Sequence, residues 1–366
     1  MKLIVGDIHA HPWRWFPPSK TGINSYLYRV RNFIGGEVKS IAEAHNVDTI
    51  VFLGDLVDAV SATGKIGIDV LSVMTAAFAK LVEFRIIILS GNHDQAGGGT
   101  DWFPAIENMA GLNIWVVRKP VVMDDIGFVP AARRGELLTS MEIVRAQGAK
   151  AVMGHFVYSG AKMDNGFDYA DSETIPSAWG KEFGLSILGH AHAPQTQERA
   201  FYVGSPLRFS WVQRDTGHRR VALLGDKLAM EDIREVSVVS PAFVGPTDRL
   251  GDLGMLPAGS FVKWIADDKA PIGIDEVRRQ FPAYSFIPVL RAKNRAQTPK
   301  PRIQIVSQSE ATGRVAMDDS AKRSAMEKFV NYKKSLGELP SNVSEEEANE
   351  FGRSLLEHDK ANKDKN

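Results

Sequence analysis

Cysteine is missing from all 366 residues of this chain. Its absence excludes disulfides, thiolate zinc sites and a thiol nucleophile, and it suits a reducing compartment. An excess of one charge is missing as well: 44 Lys and Arg stand against 44 Asp and Glu. A neutral chain cannot draw in a polyanion with a global field. Any basic surface must be local, or bound metal and a partner must supply the positive charge. No run of about 18 apolar residues occurs, so no membrane span is expected. Residues 1–6 lack the basic start and long apolar stretch of a signal peptide. On these grounds the chain reads as soluble and cytoplasmic. Internal repeats and low-complexity tracts are also lacking.

What is present is an ordinary globular composition, 44% hydrophobic and 24% charged, on a chain long enough to bury a substantial core. Residues 2–5, 49–53, 85–89, 151–153 and 186–188 are short runs rich in Val, Ile and Leu, which suits strands buried on both faces. Between them, residues 28–46, 65–84 and 136–147 carry helical spacing, and the alternation argues an α/β fold. Shorter strands are expected at 113–117, 121–123, 126–129, 200–203, 220–224 and 227–230, the last pair joined across Gly225-Asp226 as a tight hairpin. Residues 234–260 are rich in Pro, Gly and Ser without a clear period, so a boundary is placed at 233. Runs at 261–265, 272–281, 286–290 and 303–306 suggest a small α+β module over 234–319, linker included. Residues 320–366 read as two helices, the second opened by a Ser344-to-Glu347 capping box.

Five of the apolar runs end in side chains that bind metals. The series is Gly6-Asp7-Ile8-His9, Gly54-Asp55-Leu56-Val57-Asp58, Gly91-Asn92-His93-Asp94, Gly154-His155 and Gly189-His190-Ala191-His192. In open α/β sheets, sites form beyond the carboxyl ends of strands, so motifs far apart in sequence would meet there. Glycine before each motif lets the backbone turn and approach closely. Carboxylate and imidazole suit Mn²⁺, Fe or Zn²⁺. Two cations a few ångströms apart need a shared anion, and Asp55 is the natural bridge. Taken singly each motif is weak, since Gly-Asp is common in turns and a lone His on an apolar strand is more often structural. Asp58 is open between holding a ligand from behind and stabilising a turn.

The ordered series resembles the calcineurin-like metallophosphoesterase superfamily over roughly residues 1–233. The resemblance implies a layered sandwich of two β-sheets flanked by helices, with residues 1–233 as the catalytic domain. It implies one ion on Asp7, His9, Asp55 and His192, and another on Asp55, Asn92, His155 and His190. His93 would protonate the leaving oxygen, with Asp94 orienting it, after in-line attack by a metal-activated hydroxide. Two divalent ions are expected, Mn²⁺ foremost, with Fe, Zn²⁺ or Mg²⁺ as alternatives.

Within that superfamily, Tyr202-Val203-Gly204-Ser205-Pro206 resembles the SbcD-type nuclease branch of double-strand-break repair, as do the capping module and the terminal helices, in a short, phage-like form. Asp58 departs from that branch, where many members carry a His. The branch implies DNA as substrate and an SbcC-like ATPase docked on residues 320–366; a homodimer stays open. A phage-encoded chain would act in the host cytoplasm. Trp13, Arg14, Trp15 and Arg208 are candidate substrate contacts, through base stacking and phosphate binding. Arg133, Arg134 and Arg214 are further phosphate candidates. The alternatives are a small-molecule nucleotide phosphatase or phosphodiesterase, and a non-catalytic scaffold.

Overall fold

The computed structural model describes residues 1–289 apart from residues 17, 20, 21, 60–65, 96–100, 110, 171–173, 212, 214–218, 255, 267–269 and 271. All of these belong to a unit that runs from Met1 to Lys293, and the second unit, Asn294–Asn366, lies outside them. The terminal helices expected over 320–366, the strand expected at 303–306 and Arg214 therefore lie outside the described residues.

In chain order the strands are β1 (Lys2–Val5), β2 (Thr49–Phe52), β3 (Arg85–Leu89), β4 (Asn113–Val117), β5 (Val121–Met123), β6 (Ile126–Val129), β7 (Ala151–Gly154), β8 (Val157–Tyr158), β9 (Thr174–Ile175), β10 (Leu185–Leu188), β11 (Gln195–Gln197), β12 (Ala200–Tyr202), β13 (Arg219–Leu224), β14 (Ile233–Val238), β15 (Phe243–Thr247), β16 (Phe261–Ile265) and β17 (Ser285–Val289). The helices are α1 (Ser25–Asn32), which runs through a π-helical stretch (Phe33–Val38) into α2 (Lys39–Ala44), then α3 (Ile68–Phe78), α4 (Pro104–Glu107), α5 (Arg134–Ala146) and α6 (Ile274–Gln280). Asn24 starts α1, its Oδ1 accepting from Tyr26 N and Leu27 N.

Two six-stranded sheets form the body, ordered β14-β13-β1-β2-β3-β4 and β11-β12-β10-β7-β6-β5. In the first, β1 to β4 are parallel; in the second, β6, β7, β10 and β12 are. Alternation along each strand sorts its side chains between layers. Leu3 and Val5, with Ile50, Phe52, Ile86 and Ile88, pack against helical residues such as Leu27, Val30, Met74 and Phe78. Ile4, Val51, Ile87 and Leu89 turn the other way and meet Phe128, Met153 and Ile187 of the second sheet. The outer face of that sheet, through Val152, Leu188 and Tyr202, packs with Leu137, Met141 and Val144 of α5. The result is a helix–sheet–sheet–helix sandwich, as the resemblance implied, within the α/β class that the alternation of strand and helix patterns argued. A smaller α+β body follows, in which β15, β16 and β17 pair in parallel and Val262, Trp264, Val277 and Phe286 form its core.

One hairpin differs from its sequence reading. The return strand expected at 227–230 is not formed; β14 pairs with β13 from Ile233 onward. Lys227 N–H donates to Asp232 Oδ2 (2.7 Å), Leu228 sits left-handed (φ 56°) and Met230–Asp232 make a 3-10 turn. The carboxylate of Asp232 thus closes a loop wider than Gly225-Asp226. Among the described residues, no helix is long and apolar enough to cross a membrane.

Candidate metal centre

β1, β2 and β3 lie side by side in one sheet, and β7 and β10 in the other. Their carboxyl ends deliver all five motifs to one end of the sandwich. Close backbone approach sets the glycine positions. A Cβ on Gly91 would come within 2.1 Å of Asp55 Oδ1, and one on Gly6 within 2.1 Å of the Gly204 carbonyl oxygen. Three site residues with side chains, His9, Asp55 and His190, adopt left-handed backbone conformations (φ 51°, 50° and 72°). Such conformations cost free energy and persist where surrounding structure imposes them, as at functional sites.

Two groups of donor atoms converge. In the first, Asp7, His9 and His192 present ligand atoms within 4.8 Å of one another, with His9 Nε2 only 3.0 Å from His192 Nε2. In the second, Asp55, His155 and His190 do the same, and Asn92 Oδ1 lies 3.0 Å from both His155 Nε2 and His190 Nδ1. Asp55 Oδ2 stands between the groups, 3.6 Å from His9 Nε2 and 3.2 Å from His155 Nε2. His155 Nδ1 donates to the Leu53 carbonyl (2.8 Å), which leaves its Nε2 lone pair facing the cluster. Lone pairs and carboxylate oxygens this close repel unless protons or cations lie between them, so the donor set fits divalent ions.

The charges that the cluster's side chains impose on one another show the same need. Burial alone would raise the Asp55 carboxyl, but the imidazoles of His155, His9 and His93 hold it well below the usual carboxylate range. His155, though its burial works the other way, is drawn up to about 10 by Asp55 and Asp7. Burial and the neighbouring His155 push His190 down to about 3. Burial, with Asp55 adding, raises Asp7.

His93 belongs to a third group, with His9 and Asp58. Its Nδ1 lies 3.0 Å from Asp58 Oδ1, and its backbone N–H donates to Asp55 Oδ1 (2.7 Å). At 30% exposure its side chain is reachable, whereas that of His155 is fully buried. The expectation that Asp94 orients His93 is not met by the geometry: the carboxylate at the His93 ring is that of Asp58. Asp94 points into the protein, where its oxygens accept from Val57 N (3.1 Å), Gly91 N (2.9 Å) and Trp102 Nε1 (3.2 Å). Adjacent residues after a tight turn face opposite ways, so proximity in sequence misled.

The candidate substrate contacts are placed differently from the ligands. Trp13 stacks between Trp15 (ring centroids 5.2 Å) and Phe209 (5.6 Å), and Phe209 in turn touches His9 (4.7 Å) and His192 (5.4 Å). Trp15 Nε1 donates to the Phe209 carbonyl (2.9 Å). The two tryptophans thus form a wall behind the histidines, while Arg14 is exposed. Arg208 is buried and lines a cavity of about 540 Å³ with Phe16, Tyr26 and Arg29. Arg133 and Arg134 are exposed at the start of α5.

Sequence reasoning missed four supports. Phe209 backs the histidines, Asp164 Oδ2 lies 3.0 Å from His192 Nδ1, Tyr169 Oη donates to the His190 carbonyl (3.3 Å), and Arg219 Nη1 donates to the carbonyls of His192 (2.7 Å) and Ser205 (3.1 Å). Only Arg219 left a trace, as a charge at the head of an apolar strand. Ser205 N–H also donates to the His192 carbonyl (2.9 Å), so the Gly204-Ser205-Pro206 turn is fastened to the last motif.

These features can be set beside known proteins. No curated protein matches the chain. Among solved structures, one described as a novel archaeal phosphodiesterase is 15% identical, with 65% of this chain and 99% of that one covered at a TM-score of 0.32. The Pseudomonas putida nuclease MPE is 13% identical, with 61% and 84% covered at a TM-score of 0.28. A family model for calcineurin-like phosphoesterases matches residues 3–194, from β1 through the His190-Ala191-His192 motif. That stretch is more than half of the chain, carries every candidate ligand and folds as the family's sandwich, and the protein belongs to the calcineurin-like phosphoesterases, metal-dependent hydrolases of phosphoester bonds.

Proposed function

We propose that the chain hydrolyses phosphodiesters with two divalent ions, one held by Asp7, His9, Asp55 and His192, the other by Asp55, Asn92, His155 and His190. The observation that carries this reading is the place of Asp55, whose Oδ2 lies 3.6 Å from His9 Nε2 and 3.2 Å from His155 Nε2. A carboxylate between two convergent donor sets is what two like-charged ions require. When bound, the ions supply Lewis acidity, offsetting phosphate charge and lowering the pKa of water. His93 protonates the leaving oxygen. Asp58 on its Nδ1 fixes the ring and leaves Nε2 to exchange the proton.

The substrate assigned is DNA and the metal Mn²⁺. The Gly204-Ser205-Pro206 turn fastened to His192 and the small α+β body after the sandwich support a nuclease. Residues 320–366 are assigned to an SbcC-like ATPase partner. One observation favours a second reading, a small nucleotide as substrate: Trp13, Trp15 and Arg208 are engaged in packing, leaving Arg14 as the exposed member of that set. Incubating the purified chain and Mn²⁺ with labelled single- and double-stranded DNA and with mononucleotides separates the two. Nucleotide release from DNA, weakened by salt, supports the nuclease. Hydrolysis of mononucleotides with DNA left intact, even beside an ATPase partner, supports the second reading.

A further inference from the structure

Two of the clustered histidine rings are held from behind in different ways. His155 gives its Nδ1 proton to a neutral acceptor, the Leu53 carbonyl. His192 faces a carboxylate: its Nδ1 lies 3.0 Å from Asp164 Oδ2. A proton fixed on Nδ1 leaves the Nε2 lone pair turned toward His9 Nε2 at 3.0 Å and Asp7 Oδ2 at 3.9 Å. The side chain of Asp164 is only 11% exposed, and its Oδ1 is buried with no hydrogen-bond partner among the described residues. A carboxylate withdrawn from water with one oxygen unserved is costly unless positive charge is close by. A cation on the far side of the His192 ring supplies that charge through the imidazole.

Asp164 does not sit there by chance of a loose loop. Gln195, just after the His190-Ala191-His192 motif, accepts from Lys162 N (2.9 Å) and donates to Lys162 O (2.8 Å). Gln197 Nε2 donates to Ser159 O (2.7 Å), and Lys162 pairs with Asp168 (2.5 Å). Further along, the Tyr169 ring lies 5.6 Å from that of His190. The segment from 159 to 169 is thus stapled to the strand that leaves the site.

We infer that Asp164 is a positioning residue for the ion on the Asp7–His9–His192 side: it fixes the His192 tautomer and raises the basicity of Nε2, and so strengthens that ion selectively over the one at His155 and His190. The inference rests on reading the two clusters as metal sites. A charged acceptor behind a metal-bound imidazole commonly contributes about 10–100-fold in affinity.

The test is titration of the metal-stripped full chain with Mn²⁺, by calorimetry and by electron paramagnetic resonance, with folding checked by circular dichroism. In Asp164→Ala one ion weakens by about 10–100-fold while the other is unchanged. Asp164→Asn, which keeps an acceptor oxygen without the charge, falls between it and the wild type. Lys162→Ala breaks the Lys162–Asp168 pair in the same loop and binds both ions as the wild type does. Unchanged binding in both Asp164 variants overturns the inference. So does equal weakening of both ions, or a Lys162→Ala loss as large as that of Asp164→Ala. A wild-type chain that takes up neither Mn²⁺ nor Zn²⁺ overturns the metal reading itself, and this inference with it.

Discussion

Asp58 Oδ1 lies 3.0 Å from Nδ1 of His93, although 35 residues separate them, while the carboxylate next to His93 in sequence faces the other way. This pairing assigns separate jobs to two acids that look alike in the sequence, and the two can be tested apart.

His93→Ala keeps the metals and loses about 10²–10⁴-fold in rate. The loss shrinks for a nitrophenyl phosphodiester, whose leaving group needs little protonation. Steady-state kinetics on both substrates, with metal content measured in parallel, check this. An equal loss on both substrates contradicts the acid role.

Asp58→Asn shifts the pH profile. Burial lowers the His93 pKa, but the Asp58 hydrogen bond and the Asp55 charge outweigh it and raise the group above its ordinary value. With the protonated ring as the proposed acid, rate is expected to hold below the folded pKa and fall above it. Removing the Asp58 charge lowers that pKa, and the alkaline limb of kcat/KM moves to lower pH. An unmoved limb removes Asp58 from the mechanism.

Asp94→Ala is a stability variant. It strands the N–H groups of Val57 and Gly91 and the indole of Trp102, at about 1–3 kcal/mol for each buried donor left unpaired. Denaturant melts of metal-free protein should show a loss of about 3 kcal/mol or more. The wild-type carboxyl is held at about 7 by burial, with Asp55 adding, against an ordinary value of 3.8. Between those values the folded chain keeps a proton that the unfolded chain releases, so stability falls as pH rises through that window. Asp94→Asn removes this contribution to the slope. A slope unchanged in that variant contradicts the assignment.

Gly91→Ala brings a Cβ within 2.1 Å of Asp55 Oδ1 and 2.2 Å of its backbone nitrogen. Neither atom can retreat without moving Asp55, so a stability loss of about 1–3 kcal/mol and weakened metal binding are expected. Thermal melts with and without Mn²⁺ measure both. Wild-type values would show that the loop has room that this packing denies.

The framework was legible because it rests on local signals. β1, β2, β3, β7 and β10 each end at a glycine or one or two residues before one, and the ligand letters follow that glycine within three residues. Parallel strands then bring those ends together without further information. What stayed hidden depends on approach in space. Asp164 comes from a loop without period, Phe209 from an irregular stretch, and nothing near either names His192 as a neighbour. The stacking of Trp13 on Trp15 and Phe209 was likewise hidden, since nothing in the sequence names Phe209 as their neighbour. β15 was missed because Gly245 and Pro246 interrupt its apolar pattern.

The central claim, that Asp55 joins two ions in a phosphodiesterase centre, is tested most directly by metal content per chain in wild type and Asp55→Ala, read by mass spectrometry after Mn²⁺ loading and removal of excess, with bis(p-nitrophenyl) phosphate hydrolysis on the same samples. About two ions and metal-dependent turnover are expected in the wild type, and loss of both together in the variant, because the remaining ligands would leave two dications facing each other without a shared anion. An Asp55→Ala protein that keeps two ions and full activity contradicts that claim.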